Sequence, residues 1–394
     1  VVLVRSRRLD RAREVIAERA TAGSLPLPVV ATLAAAAGDL QRAAAALQAM
    51  DAAGASGTPG TGVPLTWQDA LPRAEVELAL GRVAQAWDTA RAGVAQLEAF
   101  VAELVRDPDR LDACDQPDVA ALYGVLARAA LAVGGPQAPS LALMSVERLR
   151  LLSAGVGVEG DGDGRAPGGG SDADPTLHRW RRAAADYSVA AGRVLARVAG
   201  AGVADDAFAD LDAADAALAG AERDLDARRP GILLRRAAPR QPEDPDAIRA
   251  RMPPDAVLLE YLTTSDEVLG WAVTREGVRT ATVPCPRREL AELTRRLHAS
   301  CAAGHADPAA LAQVSELVLG PWRAELDTHE RVVVVPFGSL AVVPFHVLRT
   351  GGVPLAATHV VSYALRATDA FGPDGEAPVR ARRPLVVGDP AFDP

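Results

Sequence analysis

The sequence predicts an α + α/β protein: an N-terminal α-helical repeat array and a helical hairpin, followed by an α/β sandwich. Three observations predict it. Up to about residue 154, Ala and Leu recur at helical spacing between short glycine breaks. A Gly- and Asp-rich stretch then interrupts the pattern over 155–175. From residue 246 the period changes, and apolar β-branched runs alternate with helical segments. The divisions are 1–154 (helical repeats), 155–175 (flexible linker), 176–245 (helical hairpin) and 246–394 (sandwich).

The first division rests on three similar turns: Arg7-Arg8-Leu9-Asp10-Arg11-Ala12, Gly38-Asp39-Leu40-Gln41-Arg42-Ala43 and Gly81-Arg82-Val83-Ala84-Gln85-Ala86. Their separations are 31 and 43 residues. The longer interval is accounted for by Ala53-Gly54-Ala55-Ser56-Gly57-Thr58-Pro59-Gly60-Thr61-Gly62, which reads as a loop insertion. The pattern resembles tetratricopeptide repeats, whose period is about 34 residues. A fourth, degenerate unit is expected from Ala121 to Leu152, around Gly134-Gly135. One helical hairpin cannot bury both of its faces, so stacked hairpins share a core and leave a surface for a partner. An unspecified helical bundle is the alternative, because Ala-rich helices pair in many ways.

In the linker, Asp161-Gly162-Asp163-Gly164 has the start of a calcium loop but lacks its remaining oxygen ligands and closing Glu. Helices are expected from Thr176 to Val198 and from Asp205 to Arg228, with Trp180, Tyr187, Val194 and Leu195 at core positions. Pro230-Gly231 ends the second, and Gln241-Pro242-Glu243-Asp244-Pro245 marks the next boundary. Strands are predicted over 256–262, 268–274 and 277–283, helices near 287–302 and 308–326, and further strands at 332–335, 359–363 and 385–387.

Composition narrows the function. The net charge of -9 and pI near 5.3 argue against a phosphate-backbone binder, and 4% aromatics offer no base-stacking platform. Lysine and asparagine are absent, which reads as the imprint of a GC-rich, bacterial genome. Cys114, Cys285 and Cys301 are too scattered for a disulfide framework, so a reducing, cytoplasmic setting is expected. No apolar run is long enough to span a membrane. No cofactor is implied. The chain opens on Val1 inside a repeat-like pattern, so its beginning reads as a truncation.

Several later segments share one order: Met252-Pro253-Pro254-Asp255-Ala256-Val257-Leu258-Leu259-Glu260-Tyr261, Trp271-Ala272-Val273-Thr274-Arg275-Glu276-Gly277-Val278, Val335-Pro336-Phe337-Gly338-Ser339-Leu340, Val343-Pro344-Phe345, and Leu385-Val386-Val387-Gly388-Asp389-Pro390. Together, over 246–394, they resemble the N-terminal part of a CHAT domain, a caspase- and separase-like fold that commonly follows tetratricopeptide repeats. The resemblance implies an incomplete caspase-like sandwich and a cysteine endopeptidase, regulated or targeted through its repeats. In that family a histidine in a His-Gly pair activates a cysteine in an Ala-Cys segment, and backbone N–H groups hold the oxyanion. Both blocks follow the Gly-Asp-Pro strand, so no catalytic residue is carried over and the chain is expected to be inactive alone. The same truncation implies an unpaired sheet edge and a tendency to aggregate.

The remaining candidates favour structural roles. Cys285 lies between two prolines at a strand exit. His298, Cys301 and His305 have the spacing of metal ligands on a helix face, but Asp307 is the only nearby fourth donor and lies beyond Gly304. Ser339 with His346 suggests a serine–base pair, yet Ser339 falls in a turn, and His346 is expected to pack at the start of a short helix. His359 begins a strand, and Asp389 caps a loop. The expected partner is a protein or peptide on the repeats. The other reading is a non-catalytic scaffold in which the repeats do the work.

Overall fold

A computed structural model describes residues 27–36, 38–55, 66–104, 113–114, 116–153, 175–198, 207–230 and 242–371. The turn at 7–12, the Gly/Asp-rich linker, the side chain of Leu195 and the 385–390 segment lie outside what the structure describes. The chain forms two compact units. One comprises 1–242 with the 262–268 and 284–288 turns, and the other comprises 243–261, 269–283 and 289–394.

In the first unit the helices come in pairs: α1 (Leu27–Ala36) with α2 (Leu40–Ala55), α3 (Trp67–Ala79) with α4 (Val83–Glu103), and α5 (Pro117–Val133) with α6 (Ala138–Ser153). The repeated glycine has a structural cause. Gly38 and Gly81 sit at φ 78° and 72°, a left-handed conformation that side chains disfavour. There the Gly38 and Asp39 amides donate back to the Ala35 and Ala34 carbonyls, and those of Gly81 and Arg82 to Leu78 and Glu77. This pair of bonds satisfies orphan carbonyls and turns the chain into the next helix. Gly134, at φ 78° and ψ -170°, also ends α5 at a positive φ that side chains disfavour. α2 extends to Ala55, so the expected loop insertion begins later than Ala53.

Alanine sets the spacing between these helices. Ala31, Ala34, Ala43, Ala46 and Leu47 bury against Val76 of the next pair, and α3 also packs on α5. One polar network ties α4, α5 and α6 together. The Glu98 carboxylate accepts from Arg148 Nε (2.9 Å) and Nη2 (2.6 Å), and from the Tyr123 hydroxyl (3.0 Å). Burial first, and the Glu98 charge second, push the Tyr123 phenol well above its ordinary pKa.

α7 (Pro175–Val198) and α8 (Ala207–Arg228) form the predicted hairpin, with Leu177, Trp180 and Ala183 against Leu218, Ala221 and Leu225. Tyr187 packs partly buried beside this cluster and Val194 is half-buried.

The second unit opens with α9 (Pro245–Arg251), capped by Asp244, which accepts from the Asp246 amide. Its sheet contains β1 (Ala256–Thr263), β2 (Glu267–Val273), β3 (Val278–Pro284), β4 (Arg331–Val335) and β7 (Val360–Tyr363), in the order β3-β2-β1-β4-β7. A separate two-residue ladder joins β5 (Arg349–Thr350) to β6 (Val353–Pro354). β1 to β3 form a meander, because turns this short join only antiparallel neighbours. β4 runs parallel to β1 and to β7, with Leu259 opposite Val334 and Val334 opposite Tyr363. Helices α10 (Arg287–Ala302), α11 (Pro308–Leu319) and α12 (Arg323–Leu326) supply the crossover from the meander to β4.

Strand alternation gives the sheet two faces. Leu259 and Tyr261 share one face with Val332, Val334 and Tyr363, and Leu258 and Glu260 share the other with Val333, Val335 and Val360. On the first face the Tyr261 hydroxyl donates to the Val318 carbonyl at 2.6 Å, which fixes α11 against the sheet. Burial pushes the Tyr261 phenol far above its ordinary range. Gly270 of β2 is needed on this face, since a Cβ there would lie 2.7 Å from Cζ2 of Trp322.

Candidate functional site

In α/β sheets, sites gather beyond the carboxyl ends of parallel strands. Here that rim begins after Val335 of β4 and Tyr363 of β7. The segment after β4 contains Pro336 and Phe337, a 3-10 turn at Gly338–Val342, and a second at Phe345–Val347. Its apolar residues anchor the rim from below, for Leu340, Val343 and Phe345 are 0%, 2% and 0% exposed. Phe345 lies between two tyrosines, its ring centroid 5.7 Å from that of Tyr261 and 6.2 Å edge-on from that of Tyr363. The Phe345 amide donates to the Tyr363 hydroxyl at 2.8 Å. Both Pro-Phe pairs therefore belong to a strand-turn frame, and the buried Phe is the piece that locks it.

The polar candidates are dispersed. Ser339 is half-buried in the first turn, and His346 is exposed within the second. The sequence predicts a packed His346, but a three-residue 3-10 turn buries only Phe345, and the next side chain points outward. No hydrogen bond joins Ser339 to His346 among the described residues. His359 precedes β7 and lies with Nε2 2.8 Å from the Leu326 carbonyl, tying α12 to the sheet.

His298 Nδ1 approaches the Val342 carbonyl at 3.1 Å, and His305 Nδ1 the Ala303 carbonyl at 3.3 Å. Gly304, at φ 82°, breaks α10 between Cys301 and His305, so the three do not share one helix face. Asp307 is the N-cap of α11, where it accepts from the Ala309 and Ala310 amides and from Arg296. The Ala310 amide first, then Arg296, hold its carboxyl below the usual range. Among the described residues, no three His, Cys, Asp or Glu side chains group as metal ligands would.

Cys285 is buried at 4% exposure, and its backbone amide donates to the Asp266 carbonyl. Cys114 is buried in the first unit, and Cys301 is half-buried on α10. None of the six histidines precedes a glycine in the sequence.

A cleft that the sequence did not reveal lies at the opposite end of the sheet. It measures about 360 Å³ and is lined by Thr274, Glu276 and Arg279 from the β2–β3 turn region and by Glu325, Thr328 and His329 around α12. Arg279 bonds Glu325 through Nε (2.5 Å) and Nη2 (2.6 Å), donates to the Pro321 carbonyl, and stacks 4.8 Å over the Trp322 ring. The Arg279 guanidinium holds the Glu325 carboxyl below the usual range. His329 Nδ1 lies 2.8 Å from the Glu325 carbonyl oxygen. The arrangement braces the β2–β3 turn against α12. Arg279 and Glu325 are engaged with each other, and neither cysteine nor serine lines the cleft.

Among known families, the model described as the CHAT domain matches residues 308–394. The match starts at α11 and takes in β4, both 3-10 turns and β7, while the β1–β3 meander and α10 precede it. No curated protein and no solved structure matches the chain. A CHAT domain is thus detected in the C-terminal part of this mostly helical protein, and its presence suggests a caspase-like peptidase family. No helix among the described residues is long and apolar enough to cross a membrane.

Proposed function

We propose that the protein belongs to the repeat-plus-CHAT type, with tetratricopeptide-like hairpins that hold a protein or peptide and a caspase-like domain built for peptide-bond cleavage by a Cys–His pair. The observation that carries this reading is the CHAT match on a sheet whose parallel strands β4 and β7 end beside the Pro-Phe turns. The hairpins support the binding half. Their shared glycine turn and alanine seams repeat one supersecondary unit, and such stacks present extended surfaces to partners.

The same reading assigns no peptidase dyad to residues 1–394. Cys285 and Cys114 are buried, Cys301 is half-buried on α10, and no histidine in the sequence precedes a glycine, so the His-Gly block of the resembled family and the Ala-Cys block that follows it are not matched among the described residues. This observation also favours the second reading, a non-catalytic scaffold. Purified 1–394 is expected to leave a fluorogenic peptide library and a casein substrate uncut. Hydrolysis that disappears in Cys285→Ala or Cys301→Ala would overturn the assignment. To separate the two readings, the downstream reading frame is sequenced. A His-Gly block followed by an Ala-Cys block carries the peptidase, and their absence carries the scaffold.

A further inference from the structure

The cleft between the β2–β3 turn and α12 falls, at about 360 Å³, within the size range of small-ligand sites. It lies wholly within the second unit, at the end of the sheet away from the Pro-Phe rim. Its charges are unequally committed. Arg279 gives Nε and Nη2 to Glu325 and also meets the Pro321 carbonyl and the Trp322 ring, so this pair cancels and is fixed in place.

Glu276 has no such partner. Arg249, which approaches the same turn, donates to the Thr274 and Arg275 carbonyls and pairs with Asp246 at 2.7 Å. Among the described residues no arginine forms an ion pair with Glu276. The Thr274 hydroxyl and its own amide hold the exposed Glu276 carboxyl below the usual range. His329 completes the polar lining, so above the range in which imidazoles titrate the one uncompensated charge of the cleft is the Glu276 carboxylate.

Beside that charge the walls are small and apolar. Ala272, Val278 and Ala324 contribute to them, and Gly277 leaves space, since a Cβ built there meets nothing within 4 Å. A carboxylate next to a narrow apolar slot complements a cation on an aliphatic stem, which lays its methylenes on the walls and keeps its head group hydrated.

We propose that this cleft binds a basic side chain, lysine or arginine, presented by a peptide or protein partner, with Glu276 as the acceptor of its charge. An anion is disfavoured, because Glu325 already engages Arg279 and Glu276 repels a second negative charge. The site depends on the sheet and α12 alone and stands whether or not the protein is a peptidase.

The test is amide NMR of the 394-residue chain at about pH 7.5, where imidazoles are mostly neutral. The probes are Nα-acetyl-arginine amide, Nα-acetyl-lysine amide and the uncharged stem Nα-acetyl-norleucine amide. Saturable shifts at Thr274, Glu276, Gly277, Thr328 and His329 are expected with at least one cation and not with norleucine amide, and the tighter cation identifies the head group. Glu276→Gln, on an exposed turn, should weaken binding about fivefold, the loss of one exposed ion pair. Gly277 does not have a positive φ, so Gly277→Leu fills the slot without backbone strain and should abolish the shifts while leaving Glu276 in place. Unchanged β1 and β4 amides check that both variants are folded; if Gly277→Leu disturbs them, Gly277→Ala replaces it and should weaken binding. Equal shifts with norleucine amide, a response that does not saturate, or binding undiminished in either variant overturns the proposal.

Discussion

Gly270 offers the sharpest test of how the sheet is packed. An alanine Cβ at this position would stand 2.7 Å from Cζ2 of Trp322. Carbon pairs rest about 3.5–4.0 Å apart, so the overlap is about 1 Å. The indole cannot swing away, because Trp322 is 1% exposed and Arg279 stacks on its ring at 4.8 Å. Overpacking of this kind costs about 1–3 kcal/mol. Replacing glycine in a strand returns about 0.5–1 kcal/mol through the unfolded chain. Gly270→Ala should therefore lower local stability by about 1–2 kcal/mol, or roughly 5- to 30-fold in the opening equilibrium. Hydrogen exchange at β1 and β2 amides, under conditions where opening precedes exchange, measures this directly. Trp322→Leu removes the opposing ring, so Gly270→Ala in that background should cost nothing, giving a coupling of about 1 kcal/mol or more. Equal stability of Gly270→Ala and parent, or an undiminished cost in the Trp322→Leu background, would refute the packing argument.

Two further outcomes are expected. Arg148→Met leaves the Glu98 carboxylate, 16% exposed, with the Tyr123 hydroxyl alone, and should lower the thermal stability of the first unit by about 2 kcal/mol; calorimetry checks this, and Tyr123→Phe should cost less. In the second unit Arg251 and Arg279 hold Glu243 and Glu325 below the ordinary carboxylate value of 4.5. A carboxylate with a depressed folded-state pKa stabilises above its unfolded value, and that contribution is lost as pH falls through the folded value. Stability should therefore decline from about pH 4.5 downward. Arg279→Gln should flatten that decline in an acid titration of urea unfolding, and an unchanged slope would remove Glu325 from the account.

Much of the secondary structure was legible because its causes are local. The β-branched run at Val332–Val335, the prolines and aspartates at Asp244-Pro245 and Asp307-Pro308, and the glycines at 38, 81 and 134 each act within a few residues. The helix predicted near 287–302 appears as α10 over those residues. The single helix predicted over 308–326 instead breaks at Gly320-Pro321 into α11, a 3-10 turn and α12, since Pro321 lacks the amide a continuous helix needs.

The site was less legible, because it depends on which distant residues meet. His346 reads as a packed residue beside Pro344 and is exposed, while its neighbour Phe345 fills the space between Tyr261 and Tyr363. Nothing local to residue 279 says that Arg279 will reach Glu325 and Trp322, so the cleft beside α12 had no sequence signal.

Within the described residues, the sequence already carried the succession from helices to the β1–β4 strands, the alanine-spaced pairs and the Pro-Phe strand-turn signature, because propensity, capping and turn chemistry operate over one or two turns of chain. Only the tertiary structure decided that β4 lies between β1 and β7, that Phe345 is the buried lock of the rim, and that β7 presents an uncharged edge. Those outcomes depend on side-chain volumes and backbone hydrogen bonds meeting across long separations in the chain, where no local preference reaches.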